Sequence, residues 1–123
     1  MKAVYHAGGV FACNYLAALI EAAMRAHEKA GIPRAASLRA LEPMVRETVD
    51  AIFEKGPARA LTGPVSRGDV ATIRRQLAQI AEWNPDMAGL YRGLGALAVT
   101  LAEDDQRLDA ARAADLRAAL SGR

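Results

Sequence analysis

The longest uninterrupted helical pattern lies at the N-terminus, where neither proline nor a turn cluster occurs from Ala3 to Gly31. From Ala7 to Ile20 this stretch is apolar nearly all round, and Asn14 is its one strongly polar side chain. A helix without a polar face has to be covered on every side. We therefore predict one long helix that other helices wrap, with part of the cover supplied by a second copy of the chain.

The same stretch has two other interpretations, a secretory signal peptide and a membrane span. His6, Asn14 and Glu21 interrupt the apolar region, which argues against a signal peptide. About 20 consecutive apolar residues are needed to cross a bilayer, and the uninterrupted run here is shorter. We therefore expect neither a leader sequence nor a membrane partner.

The next pattern begins after Gly31-Ile32-Pro33, a combination that ends the first helix. Apolar positions from Leu38 to Phe53 then keep a helical spacing across Pro43. Proline inside a helix removes a hydrogen bond and clashes with the preceding turn. We expect a short helix over 35–41, a break or kink, and a second helix over 43–55.

The second half of the chain predicts one loop followed by three helices. Residues Pro57 to Asp69, PARALTGPVSRGD, resist a helix because two glycines and a proline lie close together near their end. Asp69 then caps a helix that closes at Trp83-Asn84-Pro85, Pro85 opens the next, and the last runs from Leu108 or Asp109 to Leu120. The apolar stripes are Val70, Ile73, Leu77, Ile80 and Ala81 in the first of these helices and Met87, Leu90, Tyr91, Leu94, Leu97, Ala98 and Leu101 in the second.

No strand pattern is visible, so we predict an all-α bundle around the long N-terminal helix, forming a single domain over residues 1–123. Hydrophobic residues make up 52% and aromatic residues only 5%, which favours closely packed helices. The net charge of +2 arises from dispersed side chains, and without a basic stripe we expect no nucleic-acid partner. Cys13 is the only cysteine, which excludes an internal disulfide and favours a reducing cytoplasm. His6 and His27 are too few and too far apart for a metal site.

Candidate chemistry begins on the first helix, where His6 and Asn14 form a polar line on an apolar surface. An unpaired buried polar group costs about 1–3 kcal/mol, so both side chains need partners. They either hydrogen-bond to backbone in a core or interface, or they line a pocket. Gly8 and Gly9 lower helix propensity and indicate the close approach of another backbone or of a ligand.

The loop offers a second set of polar groups. Thr62, Ser66 and Arg67 lie beside backbone N–H groups at a helix start, a suitable place for a carboxylate or phosphate unless the loop is only a turn. We expect the loop to pack near His6 and Asn14, so that each stretch satisfies the polar groups of the other.

Three stretches carry a resemblance to a known family: YHAGGVFACNYLAAL (5–19), ALTGPVSRGD (60–69) with the following VATIRRQL, and LYRGLGALAVTLAE (90–103). They resemble domain of unknown function 2520, the C-terminal domain of bacterial oxidoreductases in which it follows a Rossmann-like NAD(P)-binding domain. The arrangement is similar to pyrroline-5-carboxylate reductase and the 6-phosphogluconate dehydrogenase C-terminal-like group. In those enzymes the helical domain dimerises and supplies the substrate side of the cleft.

The resemblance implies site residues in this chain. His6 would be the catalytic position, and the substrate-binding positions would be Asn14, Thr62, Gly63, Pro64 and Arg67. The chain departs from the family pattern at Gly8-Gly9, where alanine or serine is usual, and at Cys13, where serine is common. It also lacks the Rossmann domain, so we expect no cofactor in this chain and no turnover by the chain alone.

Two classes of function follow. In the first, the chain is the dimerising, substrate-side domain of an NAD(P)-dependent oxidoreductase and works with a Rossmann-like domain in cis or in trans. In the second, it is a stand-alone helical homodimer that acts as an interaction module. A strand and glycine-rich turn encoded upstream of Met1 would favour the first class, and an authentic start at Met1 the second.

Overall fold

In the computed structural model, described over residues 1–122, the chain forms six helices and, within that range, no strand. The prediction of an all-α helical bundle is confirmed. The chain divides into two compact units, Met1–Glu47 and the part from Thr48 onward. The helices are α1 (Lys2–Lys29), α2 (Arg34–Lys55), α3 (Pro57–Ala60), α4 (Val70–Trp83), α5 (Pro85–Asp104) and α6 (Ala110–Leu120).

The long N-terminal helix ends as the sequence predicts. Gly31 has a φ of +97°, and its N–H donates to the Glu28 carbonyl at 3.0 Å. The N–H of Ile32 donates to the His27 carbonyl at 2.9 Å. These two bonds satisfy the last carbonyls of α1 in the pattern that a glycine after a helix end makes possible.

One feature of α1 was not predicted, a π-helical segment over Val10–Asn14. The N–H of Tyr15 donates to the Val10 carbonyl, five residues back instead of four. Short π segments inside α-helices occur frequently at functional sites. Here the segment contains Cys13 and Asn14.

Polar side chains join α1 to α2 across the turn. Glu21 pairs with Arg34 at 2.7 Å and with Arg25 at 2.7 Å, and these hydrogen bonds lower the pKa of Glu21 to about 2. Nδ1 of His27 lies 2.7 Å from Oγ of Ser37, whose side chain is fully buried. The His27 ring therefore has a specific partner in this turn, as a buried hydroxyl such as that of Ser37 requires.

The N-terminal half of α1 is exposed in this chain. Tyr5 is 81% exposed and Phe11 is 70% exposed, and Met24 is the one buried residue of the whole helix. Within the unit Met1–Glu47, the prediction that other helices wrap α1 is therefore wrong. The exposed half of the helix still needs cover from elsewhere.

The sequence argument against a membrane span also needs correction. Helix α1 is long and apolar enough to cross a membrane by length and composition, and it is the one such helix in residues 1–122. No Asp, Glu, Lys or Arg occurs between Lys2 and Glu21. His6 and Asn14 therefore do not make the apolar stretch of α1 too short for a membrane span. Core helices of soluble proteins and signal sequences pass the same test, but only 6% of this apolar window is buried.

Helix α2 runs without interruption through Pro43, so the expected break after residue 41 is wrong. Pro43 is exposed, and water can therefore bond the carbonyl that its missing N–H leaves free. The flanking residues are good helix formers, which helps the helix to continue.

The unit from Thr48 onward contains the larger core, formed where α4, α5 and α6 pack on one another. Side-chain caps begin these helices, and Asp69 is the cap that the sequence predicts. Asp69 accepts from the Thr72 N–H at 3.1 Å, Asn84 from the Asp86 N–H at 3.0 Å, and Asp109 from an N–H in the first turn of α6. The buried residues of this core are Val65, Ile73, Val99, Ala113, Leu116, Ala119 and Leu120.

Helix α5 buries a face of small residues. Ala88, Val99 and Ala102 are buried, whereas the leucines at 90, 94 and 97 of the predicted stripe are exposed. A Cβ added at Gly95 would lie 2.6 Å from Cδ2 of Leu120, so α6 approaches α5 closely where α5 has no side chain. The apolar stripe identified from the sequence thus supplies only part of the contact surface.

Candidate functional site

The loop between α3 and α4 carries four of the predicted site residues. The first part of the expected loop, Pro57–Ala60, is a single helical turn, and the irregular segment runs from Leu61 to Asp69. Gly63 and Gly68 have φ values of +94° and +68°, a region that other residues rarely adopt. Both glycines are therefore required by the path of the backbone.

The loop satisfies most of its own polar groups. The Ser66 hydroxyl donates to the Gly63 carbonyl at 2.8 Å, the Gly68 N–H to Val65 at 3.0 Å, and the Asp69 N–H to Pro64 at 2.9 Å. The prediction of free backbone N–H groups at this helix start is wrong for these two N–H groups. The loop is a defined turn, with Val65 buried in the core as its anchor.

Close packing fixes the end of the loop. A Cβ at Gly68 would lie 2.7 Å from Cγ of Arg112 and 3.4 Å from Cδ2 of Leu108. Arg112 also donates to the Gly68 carbonyl at 3.4 Å. Helix α6 and the residues before it thus set the position of the loop from outside.

Arg107 fixes the start of the loop, a role that no sequence pattern indicates. Its guanidinium donates to the Leu61 carbonyl at 2.6 Å and to the Ala58 carbonyl. Its Nε lies 3.0 Å from Oδ2 of Asp105. The bond to Leu61 joins residues 46 positions apart, so no local pattern could have indicated it.

Thr62 and Arg67 project from this fixed loop into solvent. Neither side chain makes a hydrogen bond or ion pair to residues 1–122, and both residues are exposed. Hydrogen bonds from Thr72, and then the charges of Arg67 and Arg75, hold the pKa of Asp69 below its usual value. A hydroxyl and a guanidinium on one rigid loop are suited to bind a carboxylate or phosphate.

The candidate residues of α1 are exposed in this chain. His6 and Asn14 make no hydrogen bond within residues 1–122, although the His6 ring lies 5.8 Å from that of Tyr5. Neither side chain is therefore satisfied in a core formed by residues 1–122, and the alternative that both are satisfied in an interface stays a prediction. Cys13 is also exposed and not a buried hydrophobe, and no atom of the described chain lies within 4 Å of a Cβ added at Gly8.

The structure therefore brings Thr62, Gly63, Pro64 and Arg67 together on one loop of the second unit. His6 and Asn14 belong to the first unit, and their meeting with the loop stays a prediction. No group of three or more His, Cys, Asp or Glu side chains among residues 1–122 could hold a metal ion.

These features define an all-helical domain with a bare apolar N-terminal helix and a rigid loop that presents an arginine and a threonine. Residues 1–98 match the family model described as Domain of unknown function (DUF2520), and the chain belongs to this family. Comparison with curated proteins gives no match. Comparison with solved structures gives none either.

Proposed function

We propose that this chain is the dimerising, substrate-side helical domain of an NAD(P)-dependent oxidoreductase in the cytoplasm. Membership of the DUF2520 family supports the proposal, together with the resemblance to the helical domains of related reductases. The observation that carries it is the bare apolar half of α1, because such a surface requires a partner in water. A second copy of the chain offers the same surface in a self-complementary arrangement.

Residues on this exposed half form a continuous surface. The Phe11 and Tyr15 rings pack edge to face at 5.7 Å, so that both aromatic side chains lie on one side of the helix. Val4 and Gly8 precede Phe11 at helical spacing on the same side. Gly8 would allow the partner helix to approach closely, which is a common reason for glycine in a helix that contacts another.

The dimer is tested by light scattering on the whole chain and two matched variants. Leu16 is 39% exposed on the apolar half, and Ile32 is 40% exposed in the turn after α1. Leu16→Asp should give monomers or unfolded chain, because an unpaired buried charge costs about 3–5 kcal/mol, whereas Ile32→Asp should stay dimeric. A monodisperse wild-type monomer would contradict the proposal. Binding of the chain to phosphatidylcholine vesicles, without dimer formation in solution, would contradict it as well.

The substrate side of the proposal rests on the loop. Arg67 would receive a carboxylate in a bidentate pair, Thr62 would fix its orientation, and His6 with Asn14 would complete the pocket, within one chain or across the dimer. His6 would then act as hydrogen-bond donor or proton-transfer group. In a two-domain member of the family, lysine at the position of Arg67 should impair substrate use and leave cofactor affinity unchanged, because lysine lacks the planar fork. Equal loss of both would show that the arginine only holds the fold together.

The cofactor belongs to the Rossmann-like domain in this proposal. We therefore expect the isolated chain neither to bind NAD(P) nor to turn over substrate, since it has no glycine-rich fingerprint between a strand and a helix. Calorimetric titration with NADPH should give no saturable heat. Saturable binding would make the helical chain itself a nucleotide-binding protein.

The alternative is a stand-alone homodimer that acts as an interaction module. The exposed surface of α1 fits this function as well, because dimerisation alone would cover it. Addition of a family Rossmann-like domain in trans distinguishes the two. The oxidoreductase proposal predicts a complex with the helical dimer, and the interaction module does not.

A further inference from the structure

An open cavity of about 400 Å³ lies in the second unit, and none of its lining residues belongs to the loop that carries Thr62 and Arg67. Residues of α4 and α5 line it together with the end of α6. Its volume falls within the range of about 300–1,000 Å³ that is usual for sites that bind small molecules.

The walls of this cavity combine two kinds of surface. Leu77, Ala78, Ala81 and Ala119 supply an apolar floor. Arg74 of α4 and Arg92 of α5 supply the charged groups. An apolar cavity with a few polar groups that fix orientation is the usual composition of a small-molecule site.

Neither cavity arginine has a partner among residues 1–122. They differ in this from Arg34, which pairs with Glu21, and from Arg117, which pairs with Glu103. Arg74 and Arg92 make no hydrogen bond or ion pair to residues 1–122, and none of the described residues that line the cavity carries a carboxylate. A carboxylate could accept a bidentate, charge-assisted hydrogen bond from either guanidinium group.

We propose that this cavity binds an organic anion that has a carboxylate at one end and a short aliphatic chain at the other. The carboxylate lies between Arg74 and Arg92, and the aliphatic chain covers Leu77 and the alanines. The proposal uses none of the residues of the reductase site, so it stands or falls independently of the proposed function.

Titration of the ¹⁵N-labelled chain with octanoate tests the charged part of the proposal. Saturable shifts are expected at the amides of Leu77, Ala81 and Ala119. Arg74→Gln and Arg92→Gln should each weaken octanoate binding about tenfold or more, because each removes a charge-assisted contact. Arg75→Gln is the matched control on the same helix, since Arg75 is exposed and does not line the cavity, and it should bind as the wild type.

A second pair of variants tests the apolar part. Ala78→Phe should fill the cavity and abolish binding, whereas Ala71→Phe, at an exposed position of α4 outside the cavity, should not. Octanol and acetate should each bind at least about tenfold more weakly than octanoate, because each lacks one half of the ligand. Octanol binding as tightly as octanoate, equal weakening by Arg75→Gln, or shifts confined to α1 would each overturn the proposal.

Discussion

Substitution of Gly68 by alanine should destabilise the chain through two separable effects. The left-handed backbone at φ +68° costs a non-glycine residue about 1–2 kcal/mol. The added Cβ would also lie 2.7 Å from Cγ of Arg112, and overpacking of this kind typically costs about 1–3 kcal/mol. We therefore expect a loss of about 2–5 kcal/mol in the free energy of unfolding.

Gly63→Ala is the matched control for the first effect. Gly63 has a φ of +94°, but no atom lies within 4 Å of its added Cβ, so only backbone strain is expected. Arg112→Ala is the control for the second effect, because it removes the side chain that the new Cβ would meet. In a double-mutant cycle, Gly68→Ala should cost about 1–3 kcal/mol less in the Arg112→Ala background.

Urea denaturation followed by circular dichroism, at one protein concentration for all variants, measures these differences. The slope of the transition should stay constant if only stability changes. Equal losses for Gly68→Ala and Gly63→Ala, together with no coupling to Arg112, would refute the claim that the end of the loop is fixed by close packing against α6.

Three further predictions concern side chains away from this loop. The pKa of Glu21 in the folded state is lowered to about 2 from an ordinary 4.5. The ionised carboxylate therefore stabilises the fold above pH 4.5, and this stabilisation is lost as the pH falls toward 2. Glu21→Gln should reduce the acid sensitivity of the thermal midpoint in that pH window. Ser37→Ala should cost about 1–3 kcal/mol in chemical denaturation because it removes the partner of the half-buried His27 ring. Leu116→Ala should lower the free energy of unfolding by about 2–5 kcal/mol, since Leu116 is fully buried. Leu97, which is 60% exposed, is the control. A loss just as large for Leu97→Ala, in a variant that remains dimeric, would contradict the assignment of the α5 faces.

The sequence predicted the ends of the helices well because these depend on local chemistry. A glycine at residue 31 supplies the left-handed residue after α1, and Asp69 and Asn84 accept hydrogen bonds from the first turns of α4 and α5. Each of these contacts joins residues at most five positions apart. Such contacts can be inferred from residue type and spacing alone.

The choice of buried face could not be predicted in the same way. Helix α5 has an apolar stripe of leucines and a second face of alanine, glycine and valine, and it buries the second. Periodicity identifies an apolar face but does not rank two of them. Here α6 approaches so closely at Gly95 that small residues are needed at the contact. That approach depends on how two separate helices pack, so the pattern within α5 alone could not reveal it.

The candidate site also has one part that the sequence predicts and one part that it does not. The residue types of the loop, with Thr62 and Arg67 as its polar groups, are visible in the sequence. Their rigidity depends on Arg107 and Arg112, which lie about 45 positions further along the chain. The interpretation of Ser66 as a free donor failed for a different, local reason, because the loop uses that hydroxyl to close its own turn on the Gly63 carbonyl.

The family match and the core of the second unit overlap only in part. The match ends at residue 98, yet five of the seven core residues of the second unit lie beyond it, from Val99 to Leu120. The matched part contains α1, the loop and α4, and therefore the bare helix and the candidate anion-binding side chains. Helix α6 supplies the packing that holds the loop through Gly68. In this chain the matched residues thus include the exposed half of α1 and the loop, whereas α6, which packs against the end of that loop, lies outside the match.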